Sequence, residues 1–374
     1  MNARTTLPEG VVSLPGHEAH ARQVLDANAW AYFAGGAADE QTLRANPAAW
    51  EALTLHPRIL RPVAGGHTRV SLLGRTLAHP ILLAPVAFQR MAHPDGEIGS
   101  AVAASAQQAG LVLSTQASTP LETVADAVRD DAGRGPLWFQ LYLQHDRGFN
   151  LELIRRAEAA GYEALVLTVD APSSGARDRE RAAGFQLPPG IGAVNLARLP
   201  PRPLRELGPG QSGLFDDILH DAPGWDDVTW LQANTRLPVI LKGVLHPDDA
   251  REAARLKVGG IIVSNHGGRT LDTLSPTARA LPAIVDAVDG HLPVLVDGGI
   301  RRGTDVLKAM ALGASAVLIG RPYIFGLANA GALGVAHVIR LLRDELEIAM
   351  ALCGCRTLQD IPAGLLRPPQ GTGG

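Results

Sequence analysis

The most informative stretch of the sequence is GIIVSNHGGR, at residues 260–269. Its first residues form a short apolar, β-branched run that predicts a buried strand, and Gly267 and Gly268 predict a tight loop after it. The end of the strand therefore presents the imidazole of His266 near the guanidinium of Arg269. Such a pair suits an acidic substrate, because arginine can hold a carboxylate through two hydrogen bonds and histidine can accept a proton. The alternative is a structural histidine beside a surface arginine.

Eight short apolar runs recur along the chain, and helix-like stretches follow most of them. The runs are residues 80–85, 111–115, 137–142, 164–170, 238–243, 260–265, 293–299 and 316–321. Amphipathic stretches rich in Ala, Leu and Arg separate them, for example residues 96–109, 151–160, 248–257 and 304–312. This alternation predicts a parallel sheet, and eight repeats predict a closed (β/α)8 TIM barrel, an α/β fold. An open doubly wound sheet is disfavoured, since no G-x-G-x-x-G motif follows the first run.

Two regions depart from the repeat. Residues 1–79 are expected to form an N-terminal helical segment, in which Gly35 and Gly36 break one helix. Residues 171–225 form a long connection after the fourth run, rich in Pro and Gly, and we expect a mobile, lid-like loop there. Residues 80–353 should then form the barrel and a C-terminal packing helix, and residues 371–374 a frayed tail. The whole chain, residues 1–374, is predicted to be a single domain.

The composition narrows the class of protein. Hydrophobic residues make up 46% of the chain and charged residues 19%, which predicts a folded core rather than disorder. A net charge of -3 argues against a nucleic-acid partner. The two cysteines, Cys353 and Cys355, are too close for an easy disulfide, and no metal-binding motif is present, so we expect no metal and a reducing compartment. Without a leader peptide or a run of about 20 apolar residues, we expect a cytoplasmic protein with no membrane contact.

Polar side chains stand at the carboxyl ends of the predicted strands, where barrel enzymes carry their active sites. They are Gln140, Tyr142, Thr168, Asp170, Lys242, Ser264, His266, Arg269 and Asp297. This set contains a candidate base, a carboxylate able to orient it, hydroxyl donors and two cations, but no nucleophilic triad and no metal cage. An alternative for Asp170 is a simple helix or loop cap.

Glycines and arginines follow the last two strands, in the segments DGGIRRG at 297–303 and IGR at 319–321. Barrels often bind phosphate at this place through glycine N–H groups and a helix N-terminus. Arg301 or Arg321 would add charge-assisted hydrogen bonds to the phosphate. The alternative is that the glycines serve turns and the arginines face solvent.

Taken together, these motifs resemble the FMN-dependent 2-hydroxy-acid oxidase and dehydrogenase family. The resemblance runs from Tyr32 to Asp360 and rests on an ordered set of motifs. They are YFAGGA at 32–37, APVA at 84–87, FQLY at 139–142, LTVD at 167–170, LKG at 241–243, SNHGGR at 264–269 followed by LD at 271–272, DGGIRRG at 297–303 and GRP at 320–322. The resemblance implies FMN as the cofactor and the oxidation of a 2-hydroxy acid to a 2-keto acid.

The resemblance also implies a role for each matched residue. His266 would take a proton from the substrate, Asp170 would steady the imidazolium, and Lys242 would lie beside the N1/O2 edge of the flavin. The substrate would contact Tyr32, Gln116, Tyr142, Arg177 and Arg269. The flavin ring would be lined by Pro85, Val86, Ala87, Ser114, Gln140, Thr168 and Ser264. The ribityl chain and phosphate would be held by Asp297, Gly298, Gly299, Arg301, Gly320 and Arg321.

Some positions depart from the family pattern or leave a choice open. Gln116 stands where glycolate oxidase-like sequences carry a Trp, so we expect a pocket for a bulkier, lactate-like or mandelate-like substrate. Phe88 either walls that pocket or packs in the core. Arg179 and Arg181 lie close to Arg177, so the sequence leaves open which guanidinium turns inward.

We base the expected electron acceptor on two features that relatives with other acceptors have and that we do not find in this sequence. Residues 171–225 do not resemble the apolar insertion of membrane-bound relatives, and no haem-binding segment precedes the barrel, so O2 is expected to accept the electrons and yield H2O2. A soluble dehydrogenase or a monooxygenase of the same family is an alternative. So is a flavin-free sugar-phosphate isomerase or aldolase, in which Lys242 would form a Schiff base. The resemblance further implies a homo-oligomer, a tetramer in many relatives.

Overall fold

A computed structural model describes residues 5–203, 205–362 and 364–367, so the expected frayed tail lies outside the described residues. Eight parallel strands close into a barrel, which confirms the predicted fold. In chain order they are β1 Ile81–Leu83, β2 Gly110–Leu113, β3 Leu137–Leu141, β4 Leu165–Thr168, β5 Val239–Val244, β6 Gly260–Val263, β7 Val294–Val296 and β8 Ala316–Ile319. Strand β8 pairs with β1, with Leu318 opposite Leu82, and this pairing closes the barrel.

The strands are buried on both faces, which explains why they appear in the sequence as unbroken apolar runs. Every residue of β1, β2, β3, β4, β6, β7 and β8 is buried. Their inner side chains fill the barrel and their outer side chains pack against the surrounding helices. Strand β5 is the exception, because Gly243 is only partly buried and the register with β6 shifts between Lys242 and Val244.

Twelve helices are found in the described residues, and short turns of other helix types lie between them. The helices are α1 Leu14–Val24, α2 Ala27–Ala34, α3 Gln41–Glu51, α4 Gly96–Ala106, α5 Leu121–Asp126, α6 Arg147–Ala160, α7 Asp178–Ala182, α8 Trp225–Ala233, α9 Pro247–Arg255, α10 Thr277–Val288, α11 Gly303–Ala311 and α12 Arg321–Leu352. The 3-10 turns are Gln89–Met91, Val194–Leu196 and Leu358–Asp360, and one π-helical turn is Gly213–Ile218.

The N-terminal segment is mainly helical up to residue 51 and then changes character. Between residues 54 and 77 the chain forms short antiparallel strands rather than the expected helix. Val70–Leu72 pairs with Arg75–Leu77, and Thr54–Leu55 pairs with Leu366–Arg367. The division of the chain at residue 79 therefore stays a prediction about domain organisation, whereas α1, α2 and α3 show that helices do precede the barrel.

Helix α3 is tied to the carboxyl end of the barrel. The Asp272 carboxylate accepts hydrogen bonds from the first two backbone N–H groups of α3, at 3.1 and 2.8 Å. The side-chain amides of Asn46 and Asn265 exchange two hydrogen bonds of 2.9 and 2.8 Å, and both side chains are buried. The Trp50 indole N–H donates to the Gly298 carbonyl at 2.8 Å. These contacts hold the N-terminal helices against the loops after β6 and β7.

The connection at residues 171–225 is more ordered than a plain loop. It contains α7, a 3-10 turn and the π-helical turn, and Asn195 within it is buried. The Asn195 side chain accepts a hydrogen bond from the Leu121 backbone, and Asn28 of α2 exchanges two hydrogen bonds with Gln186. The connection is therefore anchored to α2 and to the first residue of α5. Its movement as a lid stays a prediction.

Helix α12 is the one helix in the described part of the chain that is long and apolar enough to cross a membrane. Its backbone leaves helical geometry at Ala330 and Gly331, and 67% of its most apolar window is buried inside the protein. It packs against α1, α4 and α11. The apolar side chains of α12 therefore pack mostly against the other helices of the protein.

We expect Gly299→Ala to destabilise the protein more than Gly290→Ala. Both glycines have a left-handed backbone, with φ of 87° and 73°, so alanine costs about 1–2 kcal/mol at either position. A Cβ at Gly299 would also lie 2.6 Å from the Asn46 backbone of α3, whereas at Gly290 it would meet open space. The overlap should add about 1–3 kcal/mol.

Thermal midpoints of the two purified variants, measured beside the wild type, test this expectation. Equal losses of stability in the two variants would mean that α3 and the loop after β7 can move apart to accommodate the new Cβ with no loss of free energy of unfolding.

Candidate active site

A cavity of about 320 Å³ opens at the carboxyl ends of the strands. All of the site residues predicted from the sequence line it except Asp170 and Ser264, which lie behind His266 and Lys242. Side chains that the sequence analysis did not assign also reach the cavity, among them Ser174, Glu180 and Phe185. These three come from the 171–225 connection, whose composition pointed only to a loop.

The loop after β6 holds the His266 imidazole against the Asp170 carboxylate. The distance between His266 Nδ1 and Asp170 Oδ1 is 3.0 Å. His266 has a left-handed backbone, with φ of 57°, and Gly267 and Gly268 continue in the same region. The backbone N–H of His266 donates to the Ser264 hydroxyl at 3.0 Å. A non-glycine residue in this conformation is uncommon, and the surrounding contacts must hold it there.

Strand β5 explains the position of the carboxylate. Gly243 has φ of 113°, and a Cβ at this residue would overlap the Asp170 side chain. The backbone N–H of Val169, next to Asp170, donates to the Lys242 carbonyl at 2.9 Å. Asp170 therefore packs directly against the backbone of β5, which only glycine permits.

The pKa shifts of Asp170 and His266 indicate which of the two side chains is charged. Burial alone would raise the pKa of the Asp170 carboxyl, but the charge and hydrogen bond of His266, together with Lys242, bring it below its ordinary value. Burial and the Lys242 ammonium lower the pKa of His266, and Asp170 opposes them. The carboxylate is thus ionised and accepts a hydrogen bond from the Nδ1–H group of His266. The neutral imidazole keeps a free electron pair on Nε2, as a general base requires.

Lys242 is a buried cation beside this pair. Its Nζ lies 3.0 Å from the Ser264 hydroxyl and 3.3 Å from Asp297 Oδ2. Burial alone would lower the pKa of Lys242, but Asp297, Asp170 and Tyr142 bring it above its ordinary value. A lysine that stays protonated is unsuited to forming a Schiff base, which needs a neutral amine.

Tyr142 is partly buried near Lys242. Burial raises the pKa of the Tyr142 phenol to about 12. The phenol is therefore neutral at physiological pH and can donate a hydrogen bond into the cavity.

The guanidinium groups of Arg177 and Arg269 both line the cavity. Arg269 donates hydrogen bonds to the carbonyls of Tyr32 and Gly35, and its guanidinium lies 4.9 Å from the centre of the Tyr32 ring. Arg177 has a buried Nε with no hydrogen-bond partner in the described residues. A buried donor of this kind is costly unless a ligand satisfies it. Both arginines are thus placed to bind an anion.

The choice between Arg177, Arg179 and Arg181 is clear from their contacts. Arg177 lines the cavity, whereas Arg179 pairs with Glu40 on the N-terminal side. Arg181 keeps 68% of its side chain exposed and pairs with the equally exposed Asp178. Arg177 is therefore the inward-facing residue of the three.

The other end of the cavity is strongly cationic and lined by glycines. Arg321 donates three hydrogen bonds to the carbonyls of Phe33, Gly267 and Gly35, at 3.1, 2.9 and 2.7 Å. Burial, with Arg269 and Arg301 nearby, lowers the pKa of Arg321 to about 9. Cations crowded in this way favour a bound anion, and the glycines after β7 and β8 leave room for it.

A polar row runs along the ends of β2, β3 and β4 on the floor of the cavity. The Gln140 amide donates to the Thr168 hydroxyl at 3.0 Å, and its oxygen accepts from Ser114 and the Thr115 backbone at 3.3 and 3.1 Å. Asp297 Oδ1 is buried and has no partner among the described residues. The cavity thus has a cationic, glycine-lined end that suits a phosphate and a buried carboxylate oxygen that can accept a hydrogen bond from a hydroxyl group. It also has a row of polar side chains that can hydrogen-bond the edge of a flavin ring. These features together fit FMN.

Phe88 packs in the core and lines the cavity, and its role as a wall of the substrate side-chain pocket stays a prediction. It is 9% exposed, its ring centre lies 5.9 Å from that of Tyr32, and it lines the cavity. Its backbone is left-handed, with φ of 54°. Phe88 is therefore part of the core and part of the cavity wall.

Comparison with known proteins agrees with this geometry. A family model described as FMN-dependent dehydrogenase matches residues 21–368. The chain is 49% identical over 369 residues to an L-lactate oxidase of Alicycliphilus denitrificans, covering 98% of this chain and 100% of that protein. It is 44% identical over 354 residues to glycolate oxidase 1 of Zea mays, with 94% of each covered. A solved mandelate oxidase superposes with a TM-score of 0.84 and 42% identity, covering 95% of this chain and 98% of the other.

The family match rules out the flavin-free isomerase or aldolase considered from the sequence, in line with the protonated state of Lys242. The matched segment extends over nearly the whole chain, and the relatives named for lactate and glycolate are both 2-hydroxy-acid oxidases. The chain belongs to the FMN-dependent dehydrogenase family and, within it, to the enzymes that oxidise 2-hydroxy acids.

Proposed function

We propose that this enzyme oxidises an L-2-hydroxy acid with a lactate-like or mandelate-like side chain to the 2-keto acid, and that O2 accepts the electrons to give H2O2. The single observation that carries the proposal is the convergence of the His266–Asp170 pair and two guanidinium groups on one cavity. FMN, when bound, supplies the two-electron acceptor that no side chain can provide. The residues of the chain bind and orient the substrate and move its proton.

The substrate carboxylate binds between Arg177 and Arg269 in this proposal. Both guanidiniums face the cavity, and the unpartnered Nε of Arg177 gains an acceptor when a carboxylate arrives. Two fixed cations orient the substrate so that its α-carbon faces the flavin, which lowers the entropic part of the barrier. The Tyr32 hydroxyl adds a third contact on the same side.

His266 Nε2 takes the proton that the substrate loses. The developing imidazolium is stabilised by the Asp170 carboxylate, 3.0 Å from the other ring nitrogen. The neutral Tyr142 phenol donates a hydrogen bond to the substrate oxygen that becomes the carbonyl oxygen. Lys242 supplies a fixed positive charge close to the place where FMN gains negative charge, which favours its reduction.

In this proposal the phosphate and ribityl chain of FMN bind at one end of the cavity, and the flavin ring binds at the other. Arg301 and Arg321, with the backbone of Gly298, Gly299 and Gly320, would hold the phosphate and the neighbouring ribityl chain, together with Asp297. The ring would lie over the row of Ser114, Gln140 and Thr168, with Pro85, Val86, Ala87 and Ser264 completing its surroundings. The observations that support this assignment are the crowded guanidiniums and the unpartnered Asp297 oxygen.

The space beside Gln116 supports a substrate larger than glycolate. Gln116, Tyr142 and His266 also line a second chamber of about 590 Å³ that adjoins the cavity. Its far wall includes the apolar side chains of Leu196 and Val228. A substituent on the α-carbon can extend past Gln116 into this space.

Localisation and assembly complete the proposal. Cys353 and Cys355 are free and buried, which supports a reducing, cytoplasmic location. Ile98 and Val102 of α4 and Leu333 of α12 are 36%, 42% and 48% exposed, and the two helices pack against each other. Exposed apolar side chains of this kind support a homo-oligomer.

We expect kcat/KM of the wild type to fall on the acid side, through an apparent pKa below the ordinary value of histidine. The reason is that burial and Lys242 lower the pKa of His266, and the base is lost only when the imidazole becomes protonated. Asp170 raises the pKa of His266, so Asp170→Asn should move this acid limb to lower pH. The plateau should fall by about 10²-fold or more, because the imidazolium loses its carboxylate partner.

Steady-state rates across the acid range, with the flavin spectrum as the control for folding, measure both effects. An acid limb that moves to higher pH in Asp170→Asn would contradict the assignment of the pair.

We expect Gln116→Trp to shift the substrate preference towards glycolate. An indole at this position would fill the space next to the substrate α-carbon, so kcat/KM for glycolate relative to L-mandelate should rise by about tenfold or more. Gln116→Leu, which changes polarity with little change in volume, is the matched control and should leave the ratio near that of the wild type. A wild-type enzyme that already strongly prefers glycolate would overturn the pocket argument.

The electron acceptor is tested by product analysis under air. An oxidase should form one H2O2 for each 2-keto acid, and catalase should halve the net oxygen uptake. A dehydrogenase would reduce an artificial dye but release little H2O2, and a monooxygenase would give a decarboxylated acid in place of the 2-keto acid. Either of the last two results would reject O2-to-H2O2 oxidation while leaving the proton-transfer groups unaffected.

A further inference from the structure

Glu180 places a carboxylate between the two guanidinium groups of the cavity. It belongs to α7, in the connection after β4, and its side chain is 13% exposed. Its Oε1 lies 3.1 Å from Arg269 Nη2 and 3.4 Å from Arg177 Nη1. The proposed reaction assigns no step to Glu180, although it lines the same cavity.

This arrangement resembles the one expected for the substrate itself. A single carboxylate oxygen bridges two guanidiniums, which is the contact that a substrate carboxylate would make. Without Glu180, two positive charges would face each other across a poorly solvated space, and each would disfavour the other. Counted together, the side chains of Arg177, Arg269 and Glu180 carry a net charge of plus one.

We propose that Glu180 is a positioning residue that stands in for the substrate carboxylate in the free enzyme and keeps the Arg177–Arg269 clamp singly positive, so that it favours monocarboxylates over dicarboxylates. The inference rests on the proposed function, because it takes these arginines as the substrate clamp. A monocarboxylate neutralises the clamp, whereas a dianion leaves an excess negative charge near Glu180. The unpartnered Nε of Arg177 remains available as the donor that the entering carboxylate takes.

Binding of small non-oxidisable anions to the FMN-loaded enzyme tests this inference. Acetate and oxalate are titrated in low-chloride buffer, and the change in the flavin spectrum gives each Kd. In Glu180→Gln, which keeps the side-chain shape but removes the charge, acetate should bind on the order of tenfold more tightly. Oxalate should gain about the square of that factor, because it carries twice the charge.

Several variants separate charge from structure. Glu180→Ala also removes the charge and should change the two affinities in the same direction. Glu180→Asp keeps the charge and should retain a wild-type ratio of oxalate to acetate affinity. Asp178→Asn is the matched control, since Asp178 lies on the same helix but is 60% exposed and pairs with Arg181, so its charge is screened from the clamp. It should leave both Kd values unchanged.

Steady-state kinetics provide a second measurement. If Glu180 acts through the charge of the clamp, KM for the 2-hydroxy acid should fall in Glu180→Gln while kcat does not rise, because ground-state binding alone becomes stronger. Weaker binding of both anions in the two neutral variants would overturn the inference, as it would mean that Glu180 only holds the arginines in place. Equal gains for acetate and oxalate would overturn it as well.

The outcome also distinguishes this inference from the proposed function. A wild-type enzyme that binds neither anion would reject the clamp itself and, with it, the role of Glu180. A wild-type enzyme that binds both anions, with variants that do not differ from it, would reject only the role of Glu180.

Discussion

The structure depends on holding several positive charges at the mouth of a barrel, where little water is available to solvate them. Backbone carbonyls do much of this work. The carbonyls of Tyr32, Phe33 and Gly35, at the carboxyl-terminal end of α2, accept hydrogen bonds from Arg269 and Arg321. The end of a helix carries partial negative charge and unpaired carbonyls, so α2 is suited to stabilise guanidinium groups. The N-terminal helices are therefore needed for the site, not only for covering the barrel.

The site is consequently built from two kinds of structure. The barrel strands and the loops after them supply the proposed proton-transfer pair, the buried lysine, Arg269 and the glycine-lined end of the cavity. The N-terminal segment and the connection after β4 supply Tyr32 and Arg177, the other groups at the proposed carboxylate position. These two additions meet at the loop after β6, where Ala37 donates to the Gly268 carbonyl at 2.8 Å and Ala38 donates to the Ala176 carbonyl at 2.6 Å. A shift in either addition would move a guanidinium relative to His266.

The barrel could be predicted from the sequence because strands buried on both faces appear as unbroken apolar runs, and their polar terminal residues, such as Lys242 and Asp170, stand out. Glu180 could not be found in this way. Its partner Arg269 is 89 residues away, and the Pro- and Gly-rich composition around it points to a loop rather than to α7. The left-handed backbone of His266 was equally hidden, since a non-glycine residue gives no local signal for it. The choice of Arg177 over its neighbours also needed the fold, because a helix as short as α7 has too few turns for a periodic pattern.

Burial acts in opposite directions on the titratable groups of the cavity, and the result is a consistent set of charges. It lowers the pKa of His266 and raises that of Tyr142, so both are neutral where an acceptor and a donor are required. It would also neutralise Lys242, but the adjacent Asp297 and Asp170 keep that residue charged. Arg177 and Arg269 share a single carboxylate, that of Glu180, and Arg321 has no ion-pair partner among the described residues. These side chains alone therefore leave positive charge uncompensated at the cavity, and in the proposed function the phosphate of FMN and the carboxylate of the substrate balance it.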